Sequence, residues 1–298
     1  MNDLQAHNVI GVDLGGTKIL AGKVHRQMLG EKKRSSVPRN GSLESVMNAL
    51  FQVIDPLIEH NVDAIGIGVP SVVDIEQGIV YDVQNIPSWK EVHLKERVET
   101  KYNVPVFLNN DANCFAIGEK YFGKGQGYED FVALIIGTGI AAGIIINNKL
   151  YNGHNCGAGE FGMIPYLDQH YEYYSSGQFF TNVHDTAGEQ VHQRAMAGDL
   201  VALKIFSEFG KHLGNALTAI LYALDPATII LGGSVSKGYP FFREAMWSQI
   251  KKIAYRSIPD RLTIELSSEK DIAVLGAAAL CYDPDAGYSE FEPEKTSR

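Results

Sequence analysis

Apolar and polar residues follow the same order of elements twice along the chain. An apolar strand begins at Val9, passes through a glycine-rich turn after Asp13 and resumes as far as Lys23, which predicts a β-hairpin. The same pattern returns at residues 131–146, and a third apolar strand at residues 227–231 also ends in glycines. The pattern therefore predicts two α/β units, each built as βββαβα.

Shorter patterns predict the remaining elements of both repeats. In the first repeat we expect strands at residues 28–37, 64–70 and 105–108, a hairpin at residues 72–83, and helices after Ser42, at residues 93–101 and from residues 109–112 to about Gly123. In the second repeat we expect strands at residues 149–151, 227–231 and 262–266, and helices after Asp199, at residues 241–253 and from about Asp271.

These elements predict two domains that meet directly, because no low-complexity linker separates the halves. The N-terminal α/β domain is expected over residues 1–118, completed by the C-terminal helix at residues 271–283, and the C-terminal α/β domain over residues 119–270. An insert at residues 153–186, rich in Gly, Tyr and Ser, is expected to be loop and a candidate substrate region. Residues 284–298 are expected to form a polar tail, and the active site to occupy the cleft between the domains.

Composition excludes several classes of protein. The 298 residues are 45% hydrophobic and 20% charged, as in soluble globular proteins, and the formal charge of -9 argues against nucleic acid or an anionic membrane as partner. Cys114, Cys156 and Cys281 are scattered without a C-x-x-C pair, so we expect neither disulfides nor a structural zinc site. The start of the chain lacks a secretory pattern, and the expected location is cytoplasmic.

The glycine turns have the chemistry of a phosphate cradle. Gly15 and Gly16 let backbone N–H groups approach an anion, at a turn expected to have unusual φ, while Thr17 and Lys18 add a hydroxyl and a cation. Asp13 would then face the metal that accompanies the phosphates. A plain hairpin turn is the alternative for this stretch alone. The later turns, at Gly137, Thr138 and Gly139 and at Gly232 and Gly233, favour a nucleotide cradle.

Several motifs resemble those of the ROK family of sugar kinases, within the actin-like ATPase superfamily. The resemblance implies a two-domain actin-like ATPase (RNase H-like) fold of class α/β. The motifs are D-x-G-G-T-x at residues 13–18, G-x-G-x-P-G with serine in its last place at residues 66–71, N-D-A-N at residues 110–113, G-T-G at residues 137–139, and E-x-G-H, altered to end in Met163, at residues 160–163. Residues 85–89, Asn-Ile-Pro-Ser-Trp, also resemble the N-x-x-W segment of the family, with one residue more between Asn and Trp.

The resemblance also implies roles for individual residues. Asp111 would be the general base that takes the proton from a sugar hydroxyl, Asn110 and Glu160 would bind other ring hydroxyls, and Gly68 would contribute a backbone contact. ATP would bind the glycine turns, with Mg²⁺ held by Asp13 through water. Attack of a hydroxyl on a phosphoryl group independently requires a carboxylate within reach. The alternatives are a helix N-cap for Asp111 and a solvated loop carboxylate for Glu160.

The chain departs from the family pattern around Met163. A methionine replaces the histidine, and Glu172-Tyr-Tyr-Ser-Ser-Gly-Gln-Phe-Phe180 has none of the zinc-binding cysteines, so we expect no zinc and the loss of a second glutamate that contacts sugar. His154, His170 and His184 are expected to be surface residues. Substitute hydrogen bonds to the sugar could come from Tyr173, Tyr174, Ser175, Ser176 and Gln178.

The expected function is phosphoryl transfer from ATP to a hexose or N-acetylhexosamine, at the 6-hydroxyl, with a small-molecule sugar as partner and a homodimer as an open option. The alternatives are a catalytically degenerate sugar-binding or regulatory protein of the same family and a sugar-responsive repressor. The repressor is disfavoured because family regulators carry an N-terminal helix-turn-helix, whereas the first strand here begins by Val9. A dinucleotide-dependent oxidoreductase is disfavoured because the first glycine turn leads into a strand, not a helix.

Overall fold

The structure is a computed structural model that describes residues 8–26, 28–83 and 85–283. The predicted polar tail, residues 284–298, lies outside the described residues. The chain divides into two compact units: the first contains residues up to 126, residues 149–158 and residues from 269 onwards, and the second contains residues 127–148 and 159–268. The predicted domain boundaries stay a prediction.

The strands and helices follow in chain order. The strands are β1 (Asn8–Leu14), β2 (Lys18–His25), β3 (Met28–Ser36), β4 (Ala64–Val69), β5 (Val72–Asp74), β6 (Ile79–Tyr81), β7 (Glu91–His93), β8 (Val106–Asn110), β9 (Phe131–Ile136), β10 (Ile140–Ile146), β11 (Lys149–Leu150), β12 (Pro165–Tyr166), β13 (Gln169–His170), β14 (Thr228–Gly232) and β15 (Thr263–Leu266). The helices are α1 (Leu43–Ile54), α2 (Leu94–Tyr102), α3 (Asp111–Phe122), α4 (Tyr171–Ser175), α5 (Gln178–His184), α6 (Gly188–Met196), α7 (Leu200–Leu224), α8 (Tyr239–Ile250), α9 (Ser257–Arg261) and α10 (Ile272–Ala279).

The first unit is built on a sheet with the strand order β3-β2-β1-β4-β8. β1 and β2 form the predicted hairpin, and β3 pairs antiparallel with β2. β1, β4 and β8 run parallel. Asp13 is the register partner of Gly68, and Gly68 is the register partner of Asn109. Since the carboxyl ends of parallel strands share one edge of a sheet, three of the predicted motifs meet at this edge.

Helix α10 packs closely on the first sheet and on α3. A Cβ on Gly66 in β4 would lie 1.8 Å from the carbonyl oxygen of Ala277, and one on Gly276 would lie 1.7 Å from the carbonyl oxygen of Cys114. Only glycine permits such close backbone approach. The helix predicted from about Asp271 is confirmed, and it belongs to the core of the first unit.

The second unit repeats the strand order of the first. Its strands β10-β9-β14-β15 correspond to β2-β1-β4-β8, with β9 and β10 antiparallel and β9, β14 and β15 parallel. Helices α7 and α8 pack against each other beside this sheet, and buried aromatic rings join them, including the edge-to-face pair Phe209 and Phe242 at 5.3 Å. The duplicated order predicted from the sequence is therefore present.

The insert at residues 153–186 is folded, and the expectation of a loop is wrong. It contains β12, β13, α4, α5 and a short 3-10 helix at Phe161–Met163. Its aromatic residues supply the reason, because Phe179 and Phe180 are fully buried against α7. These elements are too short to show periodicity, so tertiary packing determines them. Among the helices that the structure describes, none combines the length and the apolar character needed to cross a bilayer.

Candidate active site

The carboxyl edge of the first sheet brings Asp13, Gly68, Asn110 and Asp111 together. Strand β8 ends at Asn110 and helix α3 begins at Asp111, so the motif lies at a strand-to-helix junction. A Cβ on Gly68 would lie 3.6 Å from the Cα of Asp111, which shows how closely β4 approaches the start of the helix. These four predicted residues of the first unit therefore lie together at the carboxyl edge of its sheet.

Asn110, not Asp111, is the N-cap of α3. The Asn110 Oδ1 accepts a hydrogen bond from the Ala112 N–H at 2.9 Å, and its Nδ2 donates to the Ser71 carbonyl at 3.2 Å. Asp111 is the first helical residue, partly exposed, and its Oδ1 accepts from the same Ala112 N–H at 2.8 Å. The positive end of the helix stabilises a carboxylate at this position.

A buried cluster of asparagines, which the sequence analysis did not identify, fixes this junction. The Asn109 Oδ1 accepts from the Asn113 Nδ2 at 2.8 Å, from the Asn110 N–H at 2.8 Å and from the Cys156 thiol at 3.1 Å. The Asn109 Nδ2 donates to Asn152 Oδ1 at 3.0 Å. Helical spacing gave no signal for this pair, because Asn109 belongs to strand β8 and the helix begins only at Asp111. The network holds the chain on both sides of Asp111.

The first glycine turn requires glycine because a neighbouring side chain packs closely on it, and not because its residues have unusual φ. Gly15 donates its N–H to the Lys18 carbonyl at 2.9 Å, and neither Gly15 nor Gly16 has positive φ, so that expectation is wrong. Gly16 is needed because a Cβ there would lie 2.9 Å from the Cβ of Asn85. Thr17 and Lys18 are exposed at the turn.

A cation missed by the sequence analysis also reaches this turn. Arg39 donates from Nε to the Gly16 carbonyl at 2.9 Å. Arg39 stands apart from the glycine motif in sequence, so no local pattern marks it.

Asp13 has the properties of a ligand for a hard cation. Burial raises the pKa of the Asp13 carboxyl to about 6, and the nearby Asp271 carboxylate adds to the increase. Asp271 itself pairs with Lys32 at 2.6 Å. A bound cation would relieve the energetic cost of the ionised Asp13, and Mg²⁺ is commonly held by one or two carboxylates together with substrate phosphates and water. The residues present therefore fit Mg²⁺. No cluster of three or more His, Cys, Asp or Glu suited to a metal ion occurs in the described part of the chain.

The second unit contains the other two glycine turns. Gly137 donates to the Gly139 carbonyl at 2.9 Å, and its own carbonyl accepts from the Gly177 N–H at 2.7 Å. Gly233, after β14, has φ +86°, and a Cβ there would lie 2.4 Å from the carbonyl oxygen of Ile136. Gly232 is the register partner of Ile135. The turns after β9 and β14 are thus in direct contact.

Glu172 lies beside the second glycine turn and beside Glu160. Its Oε2 accepts from the Ile140 N–H at 3.0 Å, and its Oε1 accepts from Gln178 Nε2 at 2.9 Å. The Glu160 side chain is solvent-accessible, yet partial burial raises its pKa and the Glu172 carboxylate raises it further. The altered motif predicts the loss of a second glutamate that contacts sugar, whereas the structure has two carboxylates here. Glu172 is the one acidic residue of α4, and this was the signal in the sequence for a second carboxylate.

Three of the polar residues offered as substitutes for the histidine are buried or bonded to other groups. Ser175 and Ser176 are fully buried, and Ser176 donates to the Thr138 carbonyl at 2.9 Å. Gln178 is bonded to Glu172. Met163 is 44% exposed, so the side chain at this position faces solvent.

Helix α7 holds the insert through a polar aromatic cluster. The Tyr166 hydroxyl lies 3.1 Å from His212 Nδ1 and accepts from Asn215 Nδ2 at 2.9 Å, and the rings of Tyr174 and His212 stack at 5.0 Å. Burial lowers the pKa of His212, which favours its neutral form in this packing. The insert is therefore fixed by side-chain contacts.

The chain is similar to sugar kinases and to repressors over most of its length. It is 29% identical to a glucokinase of Streptomyces coelicolor, with 93% of this chain and 98% of the relative covered. It is 28% identical to the xylose repressor of Bacillus subtilis, with 93% and 74% covered. A solved ROK family glucokinase from Streptomyces griseus, in complex with glucose and AMPPNP, is 28% identical with a TM-score of 0.81, and the match covers 92% of this chain and 98% of that one.

These similarities confirm the α/β fold of the actin-like ATPase type that the motifs predicted. The ROK family model matches residues 9–283. The match includes every motif used above, from the turn after Asp13 to the turn after β14. The chain therefore belongs to the ROK family.

Proposed function

We propose that this protein transfers the γ-phosphoryl group of ATP to a hydroxyl of a hexose, the 6-hydroxyl of glucose or of a related hexose or N-acetylhexosamine. Its similarity to glucokinases over nearly the whole chain supports a sugar kinase. The glucose and AMPPNP held by the Streptomyces griseus relative support the same pair of ligands here.

The position of Asp111 carries the proposal. It opens α3 at the sheet edge shared with Asp13 and Gly68, and the buried asparagine cluster fixes its backbone. In the proposed reaction Asp111 accepts the proton of the sugar hydroxyl as that oxygen forms a bond to the γ-phosphorus. The bond from the γ-phosphorus to the bridging oxygen breaks, and ADP leaves with the electron pair.

The glycine turns are proposed to bind the negatively charged phosphates of the nucleotide. The proposed phosphate contacts are the backbone and side chains of Gly15, Gly16, Thr17 and Lys18 in the first unit, and those of Gly137, Thr138, Gly139, Gly232 and Gly233 in the second. Asp13 would hold Mg²⁺ through water, and bound Mg²⁺ would neutralise charge on the phosphates.

The sugar is proposed to bind through oxygen acceptors and backbone. Gly68 and Asn110 contribute from the first unit, and Glu160 and its neighbour Glu172 from the second. Met163 adds an adaptable apolar surface without a strong donor. We therefore expect relaxed selectivity at one ring position.

Similarity to the xylose repressor favours a second candidate function, sugar binding without phosphoryl transfer. The two candidates differ in one measurable quantity, because only a kinase releases ADP in a sugar-dependent way. Both predict sugar binding, so a binding assay alone does not separate them.

The test is a coupled ADP-release assay over a panel of hexoses and N-acetylhexosamines, with wild type and Asp111→Asn. We expect sugar-dependent ADP release by wild type and a fall in kcat of roughly 10²-fold or more in the variant. Glu96→Gln, an exposed acid in the first turn of α2, is the matched control and should keep wild-type kcat. Sugar binding without ADP release would favour the second candidate, and normal turnover by Asp111→Asn would exclude Asp111 as the base.

A further inference from the structure

Arg39 is held at the first glycine turn by two oxygen acceptors of the first unit. Its Nε donates to the Gly16 carbonyl at 2.9 Å, and its Nη2 donates to the Asn85 Oδ1 at a longer 3.4 Å. Asn85 in turn packs so closely on Gly16 that a Cβ there would lie 2.9 Å from the Asn85 Cβ. The guanidinium therefore lies beside the glycine turn and is held there by two hydrogen bonds.

The backbone around Arg39 is tied to the same turn. The Val37 N–H donates to the Thr17 carbonyl at 3.0 Å, and the Gly41 N–H donates to the Pro38 carbonyl at 2.8 Å, which closes a tight turn with Arg39 at its second position. Ser42 then caps α1. Because both sides of Arg39 are anchored, little ordering is needed for its side chain to meet a ligand.

The positive charge of Arg39 lacks an acidic partner in the part of the chain that the structure describes. Two other arginines do have one: Arg97 pairs with Glu44 at 2.9 Å and Arg194 pairs with Asp199 at 2.9 Å. A guanidinium has five N–H groups, and the two bonds to Gly16 and Asn85 leave an edge that can bind an anion bidentately. In a chain with a formal charge of -9, a guanidinium that is bonded to two neutral oxygens beside a phosphate-type turn points to an anionic ligand.

We propose that Arg39 binds the terminal phosphate of a nucleoside triphosphate and that Asn85 orients the guanidinium for this contact. The inference rests on the proposed function and assigns its nucleotide selectivity to a residue outside the glycine motifs. A guanidinium at the end of the phosphate chain favours the triphosphate over the diphosphate, whereas the glycine turn itself offers N–H groups to either. Lysine at position 39 could supply charge but not the two-sided anchoring.

The test is isothermal titration of the full chain with AMPPNP, ADP and AMP, each with Mg²⁺. Relative to wild type, Arg39→Ala should weaken AMPPNP binding by about tenfold or more and ADP binding much less, with AMP binding unchanged. Arg39→Lys should recover part of the loss. Arg34→Ala, which removes one exposed arginine of β3, is the matched control and should bind all three nucleotides as wild type does.

Asn85→Ala tests the orienting role. As a single substitution it should weaken AMPPNP binding, whereas in the Arg39→Ala background it should cause little further loss. Thermal unfolding of each variant separates loss of binding from loss of fold, and we expect melting temperatures near that of wild type. Equal losses for AMPPNP and ADP, or wild-type binding by Arg39→Ala, would overturn the proposal. A wild type that binds AMPPNP but phosphorylates no sugar would overturn the proposed function alone, whereas failure to bind AMPPNP would overturn both.

Discussion

Gly68 lies directly against the start of the helix that begins at Asp111. A Cβ on Gly68 would be 3.6 Å from the Asp111 Cα and only 2.9 Å from the Cys114 Sγ. We therefore expect Gly68→Ala to displace the first turn of α3, with a fall in kcat/KM for sugar on the order of tenfold to 100-fold and a loss of about 1 kcal/mol of stability. Steady-state kinetics and urea unfolding measure the two effects.

A control variant separates the effect of the close packing at Gly68 from a general effect of adding a methyl group. Gly127→Ala is the control, because a Cβ there would meet nothing within 4 Å. Cys114→Ala in the Gly68→Ala background removes the sulfur and should recover part of the kinetic loss. If Gly68→Ala behaves like Gly127→Ala, the close approach of β4 to Asp111 does not control the position of the carboxylate.

The raised pKa of Asp13 predicts a stability effect that depends on pH. The carboxyl has a pKa of about 6 in the fold and an ordinary value of 3.8, so the folded state binds its proton more tightly, and stability is lost as pH rises through 6. Asp13→Asn removes this loss. Without Mg²⁺, we expect the variant to gain about 2 kcal/mol relative to wild type on going from pH 4 to pH 8.

Urea unfolding at the two pH values measures this difference. Hydrogen bonds gained or lost by the asparagine contribute equally at both, so the change between them isolates the ionisation. The same variant should lose Mg²⁺-dependent phosphoryl transfer, because the carboxylate that lowers the stability of the fold is also the group that the reaction needs. An equal effect of Asp13→Asn at pH 4 and pH 8 would show that the carboxyl is not perturbed by the fold.

The elements that follow local patterns could be predicted from the sequence. The hairpins and the apolar strands were predicted because apolar runs and glycine turns are local signals. The parallel pairing of β1, β4 and β8 became visible only in the structure. Contacts between distant residues left no such signal: Arg39 and Gly16 are 23 positions apart, Ile140 and Glu172 are 32 apart, and Asn109 and Asn152 are 43 apart. The motifs therefore indicated the candidate site, whereas the contacts made by Arg39, Glu172 and Asn152 required the fold.

The insert predicts the response of the protein to chelators. Tyr166, His212 and Asn215 hold it to α7 by hydrogen bonds and ring contacts, none of which uses a metal. We expect the purified protein to contain no stoichiometric zinc and EDTA to leave its melting temperature unchanged, while removal of Mg²⁺ abolishes phosphoryl transfer. Elemental analysis and thermal unfolding test both statements. One tightly held zinc per chain, with a lower melting temperature after chelation, would contradict this account of the insert.

Sugar selectivity is expected to depend on Glu160, Glu172 and Met163. The two glutamates can accept hydrogen bonds from ring hydroxyls, but the exposed thioether of Met163 cannot donate one. A site rejects analogues strongly only when its polar groups need a specific partner, so we expect wild type to tolerate changes at one ring position. Glu160→Gln should raise KM for the best sugar strongly, and Met163→His should move the ranking of sugars towards glucose.

Met196→His, at another exposed methionine of the second unit, is the matched control and should leave the ranking unchanged. Kinetics with glucose, its C2 epimer and its 2-acetamido derivative measure the ranking. Sharp discrimination for glucose by wild type would mean that Glu172 or the tyrosines of α4 already supply the missing contact, and the prediction from Met163 would be wrong.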